Sequence, residues 1–191
     1  MNSYPWILLL FAALLTSCNT KPAGPMESNA TQTERSTDSL AITETISGFL
    51  GWYKTNYDSA ISFRWVTSDA KGYYLVNTEN CEAWLKFLAG SGFLSEKYLN
   101  DGRRYFEKES ANLREHPQNE GPPEGFNMDL VLWTQEPELT LDSIAHLRYH
   151  ISGPITDSAW VLVENYNPLD FQLKKYPEGW RIEKISVPAP E

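Results

Sequence analysis

The hydrophobic pattern changes period once along the chain, and that change predicts an α+β domain. From Leu40 to Tyr57 the residues Ile42, Ile46, Phe49, Leu50, Tyr53 and Tyr57 recur at i, i+3 and i+4, the stripe of an amphipathic helix. Asp38 or Ser39 can cap its start, and Gly48 and Gly51 weaken it while permitting close packing. Ile61–Val66 alternates as a short strand does, and Tyr73–Val76 returns after the turn residues Thr67–Gly72. Thr78–Ala89 predicts a second helix with Cys81, Trp84, Leu85 and Leu88 inward, broken by Gly90-Ser91-Gly92. Ser95 is the expected N-cap of a third helix ending near Glu115, with Tyr98, Leu99, Tyr105, Phe106 and Leu113 inward and mixed charges outward.

The stretch Gly121–Glu136 separates these helices from a strand-rich last third. Pro122 and Pro123 fix φ and forbid helix there, Phe126–Thr134 is apolar and β-prone, and Gln135–Thr140 turns at Pro137. Beyond it, period two dominates. Ala145–Ile151 sets Leu147, Tyr149 and Ile151 on one face and His146, Arg148 and His150 on the other. Ser158–Tyr166 alternates next, and Phe171–Tyr176 pairs through Pro177-Glu178-Gly179 with Trp180–Val187. Consecutive strands joined by short turns predict an antiparallel meander, and helices followed by strands predict α+β.

Trp6–Leu15 is an apolar run of about ten residues, the length of a signal-peptide core and short of the about 20 that span a bilayer. It leads into Leu15-Thr16-Ser17-Cys18, which resembles the bacterial lipobox. The resemblance implies cleavage before Cys18, a diacylglycerol on its sulfur, and a chain held to a membrane by acyl groups, each buried CH₂ contributing about 0.8 kcal/mol. Asn19 after the cysteine implies the outer membrane, by likeness to proteobacterial sorting. Asn19–Asp38 has no aromatic residue and is expected to be a flexible tether. The expected organisation is a signal peptide over 1–17, a tether over 18–38 and one α+β domain over 39–188. The expected location is the bacterial cell envelope, lipid-anchored and facing the periplasm.

Composition adds three points. Hydrophobic residues are 41% and aromatics 13%, which supports a core. A net charge of −9 lacks the basic footprint of a nucleic-acid binder, and overall it offers no attraction to anionic lipid. With Cys18 modified, Cys81 has no partner for a disulfide and reads as a small packing residue.

Pro177-Glu178-Gly179-Trp180-Arg181-Ile182-Glu183-Lys184-Ile185 resembles the closing hairpin of NTF2-like (cystatin-like) domains. More narrowly, Leu94-Ser95-Glu96-Lys97-Tyr98-Leu99, and Asp129-Leu130-Val131-Leu132 with Thr134-Gln135-Glu136, are similar to the DUF3828-type domains of bacteria. The resemblance implies N-terminal helices packed on a curved antiparallel sheet with a cone-shaped pocket. It implies no single function, because NTF2-like domains host enzymes, carriers and scaffolds alike.

No phosphate loop, Gly-x-Ser-x-Gly elbow or His-Glu-x-x-His motif occurs. His146 and His150, four residues apart on a strand, would stand about 13 Å from each other, too far to share one zinc, so no metal or cofactor is expected. The His146/Arg148/His150 face can hold an anion. Asp129 and Glu136 can form an acid/base pair if the loop folds them together. The favoured expectation is structural: Asp129 bonds backbone, Gln135 satisfies buried amides, and Glu136 sits in solvent. Asp129, Gln135 and Arg148 are the binding candidates. The functional expectation is a non-enzymatic envelope lipoprotein whose partner is a small ligand or an envelope protein. Two alternatives stand beside it. One is an enzyme pairing Asp129 with His146 or His150; the other is an inhibitor or immunity-type protein against an envelope enzyme.

Overall fold

Neither glycine nor proline interrupts the sequence between Pro25 and Gly48, and a long helix forms there. In the computed structural model, residues 29–189 are described, with side chains from residue 37 on. The signal peptide, Cys18 and the tether up to residue 28 lie outside the described residues. Helix α1 spans Asn29–Thr55 and a single turn, α2, spans Tyr57–Ile61. The helix expected to start at Leu40 therefore begins earlier and takes in the last part of the stretch read as a tether.

Asp38 is accordingly no N-cap. Its carboxylate accepts from Lys175 Nζ at 2.7 Å and Trp180 Nε1 at 3.1 Å, latching α1 to the last two strands. The Lys175 bond outweighs desolvation and holds the Asp38 carboxyl below its usual range. A lowered pKa gives stability that is present above the unfolded aspartate value and lost as pH falls through the folded one. Asp38→Ala should cost about 1–2 kcal/mol in urea unfolding near neutral pH, and less in acid.

Strands β1 (Val66–Ser68) and β2 (Tyr74–Val76) form a small hairpin, but the first strand is displaced: of the expected Ile61–Val66 only Val66 belongs to it, Ile61 ends α2, and Thr67 and Ser68, read as turn, are in the strand. Helix α3 covers Thr78–Ala89, capped by Asn77 Oδ1 accepting from Asn80 N–H. Helix α4 covers Glu96–Glu115, capped as predicted by Ser95 Oγ on Tyr98 N–H. Pro137 does not mark a turn: it opens α5 (Pro137–Asp142), which runs on into a 3₁₀ turn at Ser143–His146. The missing N–H of proline costs nothing in a first helical turn, where that donor has no partner anyway. His146 consequently lies in the turn and not on the strand with Arg148 and His150.

The four remaining strands, β3 (Arg148–Ser152), β4 (Ser158–Glu164), β5 (Leu169–Tyr176) and β6 (Gly179–Ser186), form one antiparallel sheet in sequence order. Helices and antiparallel sheet make the fold α+β. The register shifts once, where Glu183 is the extra residue between Leu173↔Ile182 and Gln172↔Lys184. The α1 stripe Ile42, Ile46, Phe49, Leu50 and Tyr53 is essentially buried, in one cluster with Val161, Val163, Leu169, Phe171, Leu173 and Ile182 from the sheet. The core between α1 and the sheet is thus close-packed side chain. Gly48 permits a close approach, since a Cβ there would stand 2.7 Å from the Phe93 ring.

Candidate ligand cleft

Phe126–Thr134 is not a strand. Asp129 Oδ1 accepts from the N–H of Val131 (2.8 Å) and Leu132 (2.7 Å), and Tyr53 Oη donates to Oδ2 at 2.7 Å. The Asp129 backbone closes the loop, its N–H donating to Thr134 O and its C=O accepting from Trp133 N–H. A side chain that bonds nearby amides competes with a strand ladder, and it wins here. The Leu130-Val131-Leu132 run is buried by this loop. Its outer bonds run to three elements: Tyr53 on α1, Asn167 Nδ2 to Leu132 O at 2.8 Å, and Trp133 Nε1 to Ile185 O at 3.0 Å on β6.

Trp133 pays the conformational cost, with φ of +51°, the one positive φ outside glycine among the described residues. The strained residue forms a wall of a cleft of about 170 Å³. Trp84 and Leu85 on α3, Tyr98, Tyr105 and Phe106 on α4, Leu130 and Ile185 complete the apolar lining, while Asp101, Glu183 and Lys184 also border it. Tyr105 meets Trp133 edge-on with centroids 6.0 Å apart, and Phe106 meets Trp84 edge-on at 5.9 Å. Trp84 Nε1 is buried with no hydrogen-bond partner among the described residues.

Helix α4 shapes this space through a residue that sequence reasoning passed over. Gly102 stands one turn from both Tyr98 and Tyr105 on the cleft face of the helix. A Cβ there would stand 2.7 Å from Leu85 Cδ2, so the missing side chain is what leaves room for the Leu85 end beside the cleft. The available signal was a glycine in mid-helix, which costs about 1 kcal/mol against alanine and calls for a packing reason.

Electrostatically the loop is organised by Asp129, which is 8% exposed. Burial raises its carboxyl above the usual range, against the lowering effect of the Leu132 amide, Tyr53 hydroxyl and Val131 amide. The phenols of Tyr53 and Tyr98 are raised by burial first and by Asp129 second, and the same causes push Tyr57 up to about 12.

The remaining candidates are dispersed. Asp129 and Gln135 line a separate cleft of about 270 Å³ beside Tyr57, Phe63, Trp65 and Asn127, and no histidine is among its lining residues. Gln135 and Glu136 are both exposed, so Gln135 does not serve buried amides as expected; the Glu136 carboxylate accepts from Tyr166 Oη at 2.7 Å. Asp129 turns inward to Tyr53 instead of pairing with Glu136. His146, Arg148 and His150 are exposed, and Arg148 and His150 both lie 3.2 Å from Glu164. Cys81 packs in the core, where burial pushes its thiol up to about 12. Among the described residues no group of three or more His, Cys, Asp and Glu is arranged to hold a metal, and no helix is long and apolar enough to cross a membrane.

Comparison with known proteins finds no matching family model, no matching curated protein and no matching solved structure.

Proposed function

We propose that the chain is a lipid-anchored envelope protein with an NTF2-like domain of the DUF3828 type, and that it is a binding module whose ligand places an aromatic or branched apolar group in the Trp133 cleft. The observation that carries the reading is the cleft itself: an aromatic enclosure fixed by a strained tryptophan, a three-way braced loop and a mid-helix glycine. Strain that persists in a braced loop marks positions held for use. An apolar cavity near 150 Å³ takes a benzene-sized group, and about 170 Å³ suits one ring.

The anchor is tested by Cys18→Ala, which should move the protein out of the membrane fraction; unchanged fractionation sinks that part. The cleft is tested with 4-methylphenol as probe, the full chain in nonionic micelles, and NMR of the indole N–H groups. The Trp84 and Trp133 signals should shift and the Trp160 signal should not. Gly102→Ala should change stability by no more than about 1 kcal/mol, because gained helix propensity offsets crowding of a flexible Leu85 end, yet it should weaken probe binding. Shifts spread evenly over all tryptophans would defeat the reading.

A further inference from the structure

The helices cover one face of the four-stranded sheet; the residues between the buried ones point from the other. Two adjacent rows of that outer face can be read from the register. Trp160 on β4 stands opposite Gln172 on β5, which stands opposite Lys184 on β6. In the next row Ser158 stands opposite Lys174, which stands opposite Arg181. Trp160 is 52% exposed although it occupies an interior strand.

Lys174 and Arg181 are like charges directly across a strand pair, an arrangement that is destabilising on its own. Neither has an ion-pair partner among the described residues: Arg181 donates only to the Trp180 carbonyl, and Lys184 is unpaired too. The acidic neighbours are Asp170, one row away, Asp157 and Glu178 in the turns beyond Ser158 and Tyr176, and Glu183 at the bulge, which accepts from Tyr176 Oη at 2.9 Å. Arg148 and His150 farther along already face Glu164. A patch with three cations on the two strands to one side of an exposed ring therefore sits on a chain whose net charge is −9.

We propose that this face binds an acidic glycan, a pyranose chain bearing carboxylate or sulfate groups. The Trp160 ring offers a flat apolar surface for the C–H face of a sugar. Ser158 and Gln172 offer hydroxyl-matched donors and acceptors between the cations, and Lys174, Arg181 and Lys184 complement the acid groups. An anionic bilayer is the weaker fit. Screening confines each charge to a range of about 8–10 Å, so a narrow chain on the grid meets its cations, whereas a bilayer meets the acidic flank as well. The proposal does not rest on the cleft: Lys184 borders both, but Trp160, Lys174 and Arg181 do not line it.

The test uses the full chain in nonionic micelles, titrated calorimetrically with hexagalacturonate and with a heparin hexasaccharide, maltohexaose serving as the neutral control. Binding to an acidic glycan that weakens with salt, with none to maltohexaose, is expected. Lys174→Gln combined with Arg181→Gln should lower that affinity about tenfold or more, from the loss of two charge-assisted contacts. Trp160→Ala should do the same and Trp160→Phe should retain most of the affinity. All these side chains lie on the outer face, so thermal unfolding at or above the wild-type temperature checks that the charge variants fold, since removing the like-charge pair does not destabilise. The proposal is overturned if neither acidic glycan binds, or if binding ignores these variants. It is equally overturned if mixed micelles carrying phosphatidylglycerol capture the chain through the same residues while the glycans do not.

Discussion

Asp129→Ala should destabilise the domain by about 3–5 kcal/mol, enough to threaten folding at physiological temperature, because it leaves three buried donors without an acceptor. The Val131 and Leu132 amides and the Tyr53 hydroxyl all end on this one carboxylate. Asp129→Asn should behave differently and cost only about 1 kcal/mol. Its carbonyl can take both amides, and its NH₂ can donate to the Tyr53 oxygen. Urea unfolding of the two variants measures the gap; equal losses would mean that charge, and not the bonding pattern, holds the loop.

The pH dependence comes from the raised carboxyl. Unfolded Asp129 gives up its proton near the ordinary value of about 3.9, while the folded residue keeps it to higher pH. Between those values the folded state binds more protons, so the residue's contribution to stability falls as pH rises through the window. Asp38 acts with the opposite sign, its contribution being lost on acidification. Wild type should therefore lose melting temperature relative to Asp129→Asn as pH rises above about 4. A difference that stays flat or grows the other way would contradict the burial of a charge at this site.

How much of the fold was legible depends on the range of each interaction. The α1 stripe from Ile42 to Tyr53 and the Ser95 cap are local, and periodicity and cap chemistry find them. The closing hairpin is also local, its turn residues lying beside the strands they join. Leu130–Trp133 misled because its residues favour strands, while the deciding bonds come from Asp129 and from Tyr53, far away on α1. Pro137 read as a turn because proline ends helices more visibly than it begins them. The Asp129 role was foreseeable as backbone bonding; its use in braced presentation of Trp133 was not, since the cleft needs α3, α4 and β6 together. The juxtaposition of Lys174 and Arg181 depends on pairing below the Glu183 bulge, and a one-residue slip would have separated them.

Trp133 carries the second large effect, and its sign pattern is distinctive. Truncation to alanine removes the indole from Tyr105 and its bond to Ile185 O, and should cost about 3 kcal/mol for a partly buried aromatic. Trp133→Gly removes one carbon more, yet it should be less harmful by about 1 kcal/mol, because at φ +51° a Cβ is itself a burden that glycine lacks. At an ordinary helical or strand position the order would be reversed. Both variants should abolish 4-methylphenol binding, since both remove the cleft wall. Chemical denaturation of the pair, with the m-value checked for constancy, decides the matter. If glycine is the worse substitution, the left-handed geometry is not a burden at this residue, and the case for strain retained to shape a binding cleft falls with it.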